Sequence, residues 1–499
     1  MIRSIAILAL SLCGVVSFGT QSFAADRPNV LMICIDDLND WVEPLGGHPQ
    51  VKTPAMVSLA KRGVVFTNAH CQSPLCNPSR TSLMLSRRPS STGVYGLKPW
   101  FRTLPQWQDA VSLPQFFKAA GYETYSGGKV YHSIRKDPPN AKIREFDHWG
   151  PRGGTGVRPK QKLIPPTPQG NHPLMDWGVF DHKDSEKGDY IVADWATETI
   201  TNMPKDKPFF MACGFFLPHV PCHVTQKWWD MYPDESLVMP TILENDRDDC
   251  PPFSWFIHWS LPEPRLTWLR QADQHRNLVR SYLASISFVD SQVGRVLKAL
   301  EDSPHADNTI VCLWSDHGWH LGEKAISGKN TLWEPSARVP LIFAGKGIQQ
   351  GECKQPAELL DIYPTLAELA GLETPDVDGL SLAPQLADPD AIRTRPAMTE
   401  HNPGNVGIRG VRYRLIRYAD GSEELYDLDN DPNEHTNLIG VEQHNAAAER
   451  LRKFAPASPA PLCKGSGARI LEKREDGWYW EEKRIDTENP PMDVGNSFP

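Results

Sequence analysis

The motif Cys76-Asn77-Pro78-Ser79-Arg80 combines a potential nucleophile with a cation, and a run rich in Leu and Met follows it. Pro78 suits the first turn of a helix, and Asn77 and Ser79 can cap the free amides of that turn. Because a helix N-terminus attracts negative charge, the motif predicts a thiol beside an anion-binding helix start. Taken alone, it is equally typical of a buried or disulfide-bonded cysteine ahead of a capped helix.

Two acidic motifs directly follow predicted strands. Residues 30–35 are all apolar, which is typical of a strand covered on both faces of a parallel sheet, and Asp36 and Asp37 come next. A second predicted strand, 308–314, is followed after one serine by Asp316 and His317. Functional residues lie past the carboxyl ends of such strands, and adjacent carboxylates favour a hard metal ion. Each motif alone is also compatible with a solvated polar turn.

Basic residues occupy similar positions elsewhere in the chain. Gly127-Gly128 follows a predicted strand at 122–126 and precedes Lys129 and His132. This order predicts a backbone that approaches an anion while two donors point at it. His219 follows a strand predicted at 208–216 and lies between two prolines. The alternatives are a surface lysine and structural histidines.

The bulk properties limit the class of protein. The chain has 499 residues and a formal net charge of −9, which argues against a nucleic-acid partner. Residues 1–25 have a cation, an apolar stretch and small residues before the end, and so predict a signal peptide. No second long apolar stretch follows, so we expect an exported protein without a membrane span. Ten cysteines, one of them inside the signal peptide, leave disulfide pairing open.

Predicted helices and strands alternate through most of the chain, which favours an α/β fold. Helices are predicted at 54–63, 113–120, 190–202, 276–301 and 358–370, and we assign the long one at 276–301 to the core, with no part in the site. A region rich in Pro and Asp near 376–389 predicts the boundary between domains 26–380 and 381–499. The second domain contains a predicted antiparallel hairpin, 410–418 with 424–428. The tail from 456 shows no clear pattern.

Taken together and in order, these motifs resemble the type I sulfatases of the alkaline-phosphatase superfamily, and most of all the iduronate-2-sulfatase branch. The resemblance runs from about residue 27 to about residue 438. It is carried by Asp36-Asp37-Leu38, Cys76 to Pro89, Gly128-Lys129-Val130-Tyr131-His132, Pro218-His219-Val220-Pro221, Ser315-Asp316-His317-Gly318-Trp319 and Leu425-Tyr426-Asp427-Leu428. It implies a mixed, mostly parallel sheet flanked by helices, with a smaller C-terminal α+β subdomain that contains an antiparallel sheet.

The resemblance also implies the nucleophile and a metal ion. Cys76 would be converted to formylglycine (3-oxoalanine) by a formylglycine-generating enzyme, and its hydrate would attack sulfur. One divalent cation, expected to be Ca²⁺, would be bound by Asp36, Asp37, Asp316, His317 and the converted Cys76.

The remaining site residues receive roles from the same resemblance. Sulfate oxygens would be held by Lys129, Lys329 and His132, with Arg80 neutralising charge beside the nucleophile. Asp316 would take a proton from the nucleophile, and His219 or Lys329 would protonate the leaving alcohol.

The expected function is therefore an exported sulfatase, periplasmic or secreted, acting on sulfated saccharides in the manner of iduronate 2-sulfatases. One alternative is a phosphodiesterase or phosphonate monoester hydrolase of the same superfamily. Another is a catalytically inactive relative that binds sulfated carbohydrate.

Overall fold

The computed structural model of this chain describes residues 27–132, 145–168 and 170–491. The predicted signal peptide, 1–25, lies outside these ranges. Among the described helices, none has the length and hydropathy to span a bilayer. All nine cysteines of the described ranges are free thiols.

A central sheet of eight strands runs through the molecule. The first strand, Asn29–Asp36, lies in its middle, with Thr309–Ser315 and Phe209–Pro218 as parallel neighbours on either side. Leu341–Gly345 runs antiparallel to both of its neighbours, and the other pairings are parallel. The strand order is Gly351–Cys353, Gly63–Phe66, Leu341–Gly345, Thr309–Ser315, Asn29–Asp36, Phe209–Pro218, Glu123–Gly128, His148–Trp149. The predicted mostly parallel sheet is confirmed.

Helices cover both faces of this sheet, so each central strand is buried on two sides. Leu31 and Ile33 pack on one face with the core helix His275–Glu301, and Val30 and Met32 pack on the other. The first face also holds the helices Pro54–Ala60 and Gly188–Thr201, and the second holds Cys76–Leu85, Leu113–Ala119 and Ile362–Leu369. This burial explains why the sequences of the central strands are continuously apolar.

An antiparallel sheet forms the main part of the C-terminal region. Its four strands are Ala397–Glu400, Val406–Arg409, Tyr413–Arg417 and Glu423–Asp427, and the helix Asn445–Arg452 packs against it. The predicted hairpin is confirmed as the last two strands. The smaller helices are Pro89–Thr92, Gln226–Trp229, Leu266–Gln271, Glu334–Ala337 and Ala383–Ala387.

The tail that the sequence left unplaced folds as a small sheet of its own. Leu471–Arg474, Gly477–Trp480 and Lys483–Arg484 pair antiparallel. Trp480 is buried in a cluster with Phe253 from the irregular middle region. The strands have only two to four residues, so the alternation of apolar and polar residues is too short to predict them.

Candidate active site

The helix Cys76–Leu85 begins at the predicted nucleophile, and all its residues are buried. The predicted caps are wrong, because no side chain in the described part of the chain bonds the free amides of its first turn. Asn77 donates its side-chain amide to the carbonyl of Gly96 at 2.9 Å, and the Ser79 hydroxyl donates to the carbonyl of Asp316. These side chains fix neighbouring loops around the buried helix start.

The two acidic motifs meet because their strands are neighbours. Ile35 pairs with Ser315, which brings Asp36 and Asp37 beside Asp316. The amide of Asp37 donates to a carboxylate oxygen of Asp316 at 3.1 Å. Asp37 has a φ of 61°, a left-handed conformation that Asp adopts more readily than most residues. The turn after the first strand is therefore held by the opposite acidic motif.

The core helix also contributes to this turn, contrary to the expectation that it has no part in the site. The Tyr282 hydroxyl donates to the carbonyl of Asp37 at 2.6 Å and accepts from the amide of Asn39 at 3.0 Å. Tyr282 belongs to none of the motifs that predicted the site. The available signal was a tyrosine on a buried helix face, where its hydroxyl needs a partner.

Basic side chains surround the Cys76 thiol, which is 1% exposed. Its Sγ lies 3.3 Å from Nε2 of His317, 3.3 Å from Nζ of Lys329 and 3.7 Å from Nζ of Lys129. His132 also hydrogen-bonds the thiol. A group attached to Cβ of residue 76 is therefore placed to be stabilised if it carries negative charge.

Arg80 connects the acidic motifs to the helix that carries Cys76. Its Nε donates to Asp316 Oδ2 at 2.8 Å, and Nη2 donates to Asp36 Oδ1 at 3.0 Å. Nη1 donates to the carbonyl of Val130 at 3.0 Å. Since Arg80 is buried, these bonds hold both carboxylates in fixed positions.

The two lysines and His219 complete the cluster. Lys329 Nζ lies 2.7 Å from Asp37 Oδ1, and Lys129 Nζ forms a short ion pair with Asp36. His219 Nδ1 bonds the carbonyl of Val220, which directs Nε2 toward Asp37 Oδ2 at 3.8 Å. The structure thus gathers all ten predicted site residues in one cluster: Asp36, Asp37, Cys76, Arg80, Lys129, His132, His219, Asp316, His317 and Lys329.

The charges of the cluster shift its ionisation equilibria. Burial raises the pKa of the Cys76 thiol, but the charges of Lys129 and Lys329 overcome this effect and hold the pKa well below its ordinary value. Burial likewise opposes ionisation of Asp36, and Lys129 again prevails and lowers the pKa of that carboxyl. For Asp316, burial prevails over Arg80 and raises the pKa to about 7. The field at residue 76 therefore favours an anion.

The same cluster fits a divalent cation. Asp36, Asp316, His317 and Cys76 offer ligand atoms within 4.8 Å of one another, as do Asp36, Asp37, Cys76 and His219. Oδ2 of Asp37 is buried and has no hydrogen-bond partner among the described residues, although buried carboxylate oxygens normally have one. His317 Nδ1 bonds the carbonyl of Gly318, which leaves Nε2 as a ligand. Carboxylates with one imidazole suit such an ion.

The glycines before Lys129 have a packing role, and the predicted approach of their backbone to an anion stays a prediction. Gly128 has a φ of 75°, and a Cβ there would lie 1.8 Å from the carbonyl oxygen of Gly214 on the next strand. A Cβ on Gly127 would lie 2.3 Å from the ring of Trp195. Only glycines allow this strand to end against its neighbours, and the contact places Lys129 at the site.

Two family models match the chain. The model described as Sulfatase matches residues 28–372, and the model described as N-sulphoglucosamine sulphohydrolase, C-terminal, matches residues 322–455. A sulfatase of Formosa agariphila is 37% identical over 450 residues, covering 87% of each chain. The iduronate 2-sulfatase of Homo sapiens is 30% identical over 411 residues, covering 73% of each chain.

Solved structures with the same fold include enzymes of two specificities. A 2-O GAG sulfatase superposes with a TM-score of 0.67 at 25% identity, covering 86% of this chain and 91% of that one. A phosphonate monoester hydrolase from Silicibacter pomeroyi has a TM-score of 0.71 at 21% identity, covering 92% of this chain and all of that one, and shows the shared fold alone. Because a family model spans most of the chain and named sulfatases match it over most of their length, this protein belongs to the sulfatase family, within the alkaline-phosphatase superfamily, and is a sulfuric ester hydrolase.

Proposed function

We propose that this enzyme removes sulfate from sulfated sugars in the manner of the iduronate 2-sulfatases. The observation that carries the proposal is the buried position of residue 76 between a carboxylate cluster and a ring of basic side chains. Relatives named iduronate 2-sulfatase and delta 4,5-hexuronate-2-O-sulfatase support a sugar substrate.

At residue 76 we propose conversion of the cysteine to formylglycine by a formylglycine-generating enzyme acting as a transient partner. The hydrated aldehyde would supply one hydroxyl to attack sulfur and a second to release sulfate, which a simple hydroxyl cannot do. His317, Lys129, Lys329 and His132 surround that position and would stabilise oxygen atoms carrying negative charge.

We propose Asp36, Asp37, Asp316 and His317, with the converted residue 76, as ligands of one Ca²⁺ ion, which would neutralise charge on the sulfate group. Arg80 holds Asp36 and Asp316 in place, so its role is to position these ligands. Asp316 is also the proposed acceptor for the proton of the attacking hydroxyl.

For the leaving alcohol, His219 is the better placed of the two candidate acids. It is 9% exposed, whereas Lys329 is 4% exposed and paired with Asp37. His219 would donate a proton to the departing sugar oxygen, and Lys329 would hold the sulfate group and keep its pairing with Asp37.

Export remains part of the proposal. Residues 1–25 would be removed as a signal peptide, leaving a catalytic domain at 26–380 and a smaller C-terminal part at 381–499 in the periplasm or outside the cell. N-terminal sequencing of the protein recovered from the culture fluid or periplasm would test this, and a start at residue 1 in the cytoplasm would contradict it.

The test of the function uses protein co-expressed with a formylglycine-generating enzyme. Release of sulfate from defined sulfated saccharides is compared with hydrolysis of a phosphate diester and of a phosphonate monoester at equal concentration. We expect the sulfated sugars to be preferred in kcat/KM, and a preference for either phosphorus ester would overturn the proposal. Mass analysis of the peptide with residue 76 accompanies it, because an unmodified thiol and no turnover would indicate a binding protein.

A further inference from the structure

The tail lies beyond both family models, which end at residues 372 and 455, yet it reaches the candidate active site. The amides of Leu97 and Lys98 donate to the carbonyls of Ala468 and Gly467 at 3.1 and 3.2 Å. The neighbouring residue of this loop, Gly96, accepts the side-chain amide of Asn77, which follows the nucleophile. One loop therefore connects the tail to the start of the catalytic helix.

A second connection holds the backbone on both sides of Arg469. The side-chain amide of Asn402 donates to the carbonyl of Arg469 at 3.2 Å, and its oxygen accepts from the amide of Leu471 at 3.1 Å. Asn402 and Asn330 both lie 3.3 Å from Nε2 of His401. Because Asn330 directly follows the site residue Lys329, Arg469 is fixed relative to the site.

The side chain of Arg469 is held by a buried carboxylate. Its Nη2 lies 3.2 Å from both carboxylate oxygens of Glu263, whose side chain is 3% exposed. Glu263 in turn packs against Gly328, where a Cβ would lie 2.8 Å from its Cγ. Both bonds use one terminal nitrogen, so the Arg469 fork keeps donors for another anion. The Arg469 side chain is 13% exposed, so a part of it reaches solvent.

Two more basic residues, Lys162 and His172, lie together on another loop. Lys162 Nζ donates to the carbonyl of His172 at 3.1 Å. Burial lowers the pKa of His172 against the effect of Glu263, and the charges of Arg469, Lys162 and His219 lower it further. His172 therefore lies within the electrostatic reach of both the tail arginine and the proposed acid. Glu263 pairs with Arg469, Glu481 accepts from the amide of Arg469, and Asp176 acts on Lys162. The unused guanidinium donors of Arg469, and not a net positive charge, are therefore what would bind an anion.

We propose that Arg469, which Glu263 holds next to the loop of Gly328 and Lys329, forms a subsite for a second anionic group of the sugar substrate, separate from the sulfate that is removed. The group is a uronate carboxylate or another sulfate, since both offer the paired oxygens that an arginine fork binds. Glu263 is a positioning residue that orients Arg469. This inference rests on the proposed function and narrows its substrates to polyanionic saccharides.

The test compares two pairs of substrates in protein with wild-type Arg469 and in Arg469→Gln. One pair is a 2-O-sulfated uronate disaccharide and its analogue with the carboxyl reduced to an alcohol. The other pair is a disulfated and a monosulfated amino sugar. We expect Arg469→Gln to lower kcat/KM for the more anionic member of one pair at least tenfold more than for its partner, mainly through KM. The pair that responds identifies the group as carboxylate or sulfate.

Two further variants keep the outcome interpretable. Arg469→Lys retains the charge without the fork and should recover part of the preference for the more anionic member of the pair. Arg474→Gln removes another arginine of the same tail and should leave that preference unchanged. Equal losses on charged and neutral partners in Arg469→Gln would overturn the subsite. If no sulfate ester is hydrolysed by the wild type, the proposed function fails, and calorimetric binding of the same saccharides to wild type and Arg469→Gln still decides the subsite.

Discussion

Residue 76 lies among more basic groups than a neutral thiol requires. The atom on its Cβ contacts His317, Lys129 and Lys329 within 3.7 Å. Cys76→Ala removes that atom while the pairs Lys129–Asp36 and Lys329–Asp37 remain. We therefore expect turnover of a sulfate ester to fall at least about a thousandfold without loss of the fold. Sulfate release and circular dichroism would measure the two effects.

Cys353→Ala is the matched control, because Cys353 is also a buried free thiol but lies at the end of an edge strand. It should keep its activity within about twofold of the wild type. Activity that survives in Cys76→Ala would remove residue 76 as the nucleophile.

The sequence predicted the acidic and basic residues of the site but few of the bonds between them. Asp36, Asp37 and Asp316 could be found because strand ends in a parallel sheet share one edge. Arg80 was expected to neutralise charge beside the nucleophile, and its bonds to Asp36 and Asp316 were not foreseen. Side-chain partners depend on distances between elements, and motif spacing does not contain those distances.

At the scale of elements, the close pairing of two parallel strands places Lys129. The end of Glu123–Gly128 touches the carbonyl of Gly214, so Gly128→Ala must push the strands apart. We expect this variant to lose about 2–4 kcal/mol of unfolding free energy and at least about tenfold in kcat, because Lys129 moves with the strand. Urea unfolding and sulfate release would measure both losses.

Gly121→Ala separates backbone strain from the steric clash. Gly121 has a φ of 89°, but a Cβ there meets no atom within 4 Å. The Gly121→Ala control should therefore lose only about 1 kcal/mol of unfolding free energy and keep the wild-type kcat. Equal losses in the two variants would contradict the assigned strand contact.

The core helix contains a carboxyl group whose ionisation should make stability depend on pH. Asp290 accepts from the amides of Ala55 and Met56, each at 2.9 Å, at the start of a neighbouring helix. Burial raises the pKa of Asp290 to about 7, against the effect of those amides. The folded state thus binds a proton that the unfolded state releases at lower pH, so stability falls as pH rises toward 7.

We expect the free energy of unfolding to decrease by about 2–3 kcal/mol between about pH 5 and pH 8 from this group. Asp290→Asn cannot titrate at this position. Its free energy of unfolding, measured with denaturant, should therefore fall between these pH values by about 2–3 kcal/mol less than that of the wild type. Asp194→Asn, which changes an exposed carboxylate on a nearby helix, should keep the wild-type slope. An unchanged slope in Asp290→Asn would show that Asp290 is ionised at both pH values.

Helix and strand positions could be predicted where an element is long and covered on one or two faces. The core helix at 276–301 is observed as His275–Glu301, since its apolar period extends over many turns. The predicted helix at 358–370 begins with a 3-10 turn, Leu359–Asp361, before Ile362–Leu369. The tail sheet could not be predicted, because Trp480 is buried by residues distant in sequence and not by a local pattern.

At the scale of the whole molecule, the site joins segments from residue 36 to residue 329 that come from different strands and loops. Arg80, Lys129 and Lys329 balance three buried carboxylates, yet one oxygen of Asp37 has no hydrogen-bond partner among the described residues. A cation bound there would connect strands that are far apart in sequence. Metal binding should therefore stabilise the entire fold and not one loop.

We expect removal of divalent ions with EDTA to abolish sulfate release and to lower the unfolding temperature by about 2–5 °C. Added Ca²⁺ should restore both, and should do so at lower concentration than Mg²⁺, because Ca²⁺ accepts irregular coordination whereas Mg²⁺ demands near-ideal octahedral geometry and loses water reluctantly. Differential scanning calorimetry with each ion separately measures the shift. The Asp37→Asn variant should lose most of the Ca²⁺-dependent rise in unfolding temperature, because the substitution removes the negative charge of a proposed ligand whose Oδ2 has no hydrogen-bond partner among the described residues. A wild-type unfolding temperature that does not respond to any divalent ion would contradict a metal centre at Asp36, Asp37, Asp316 and His317.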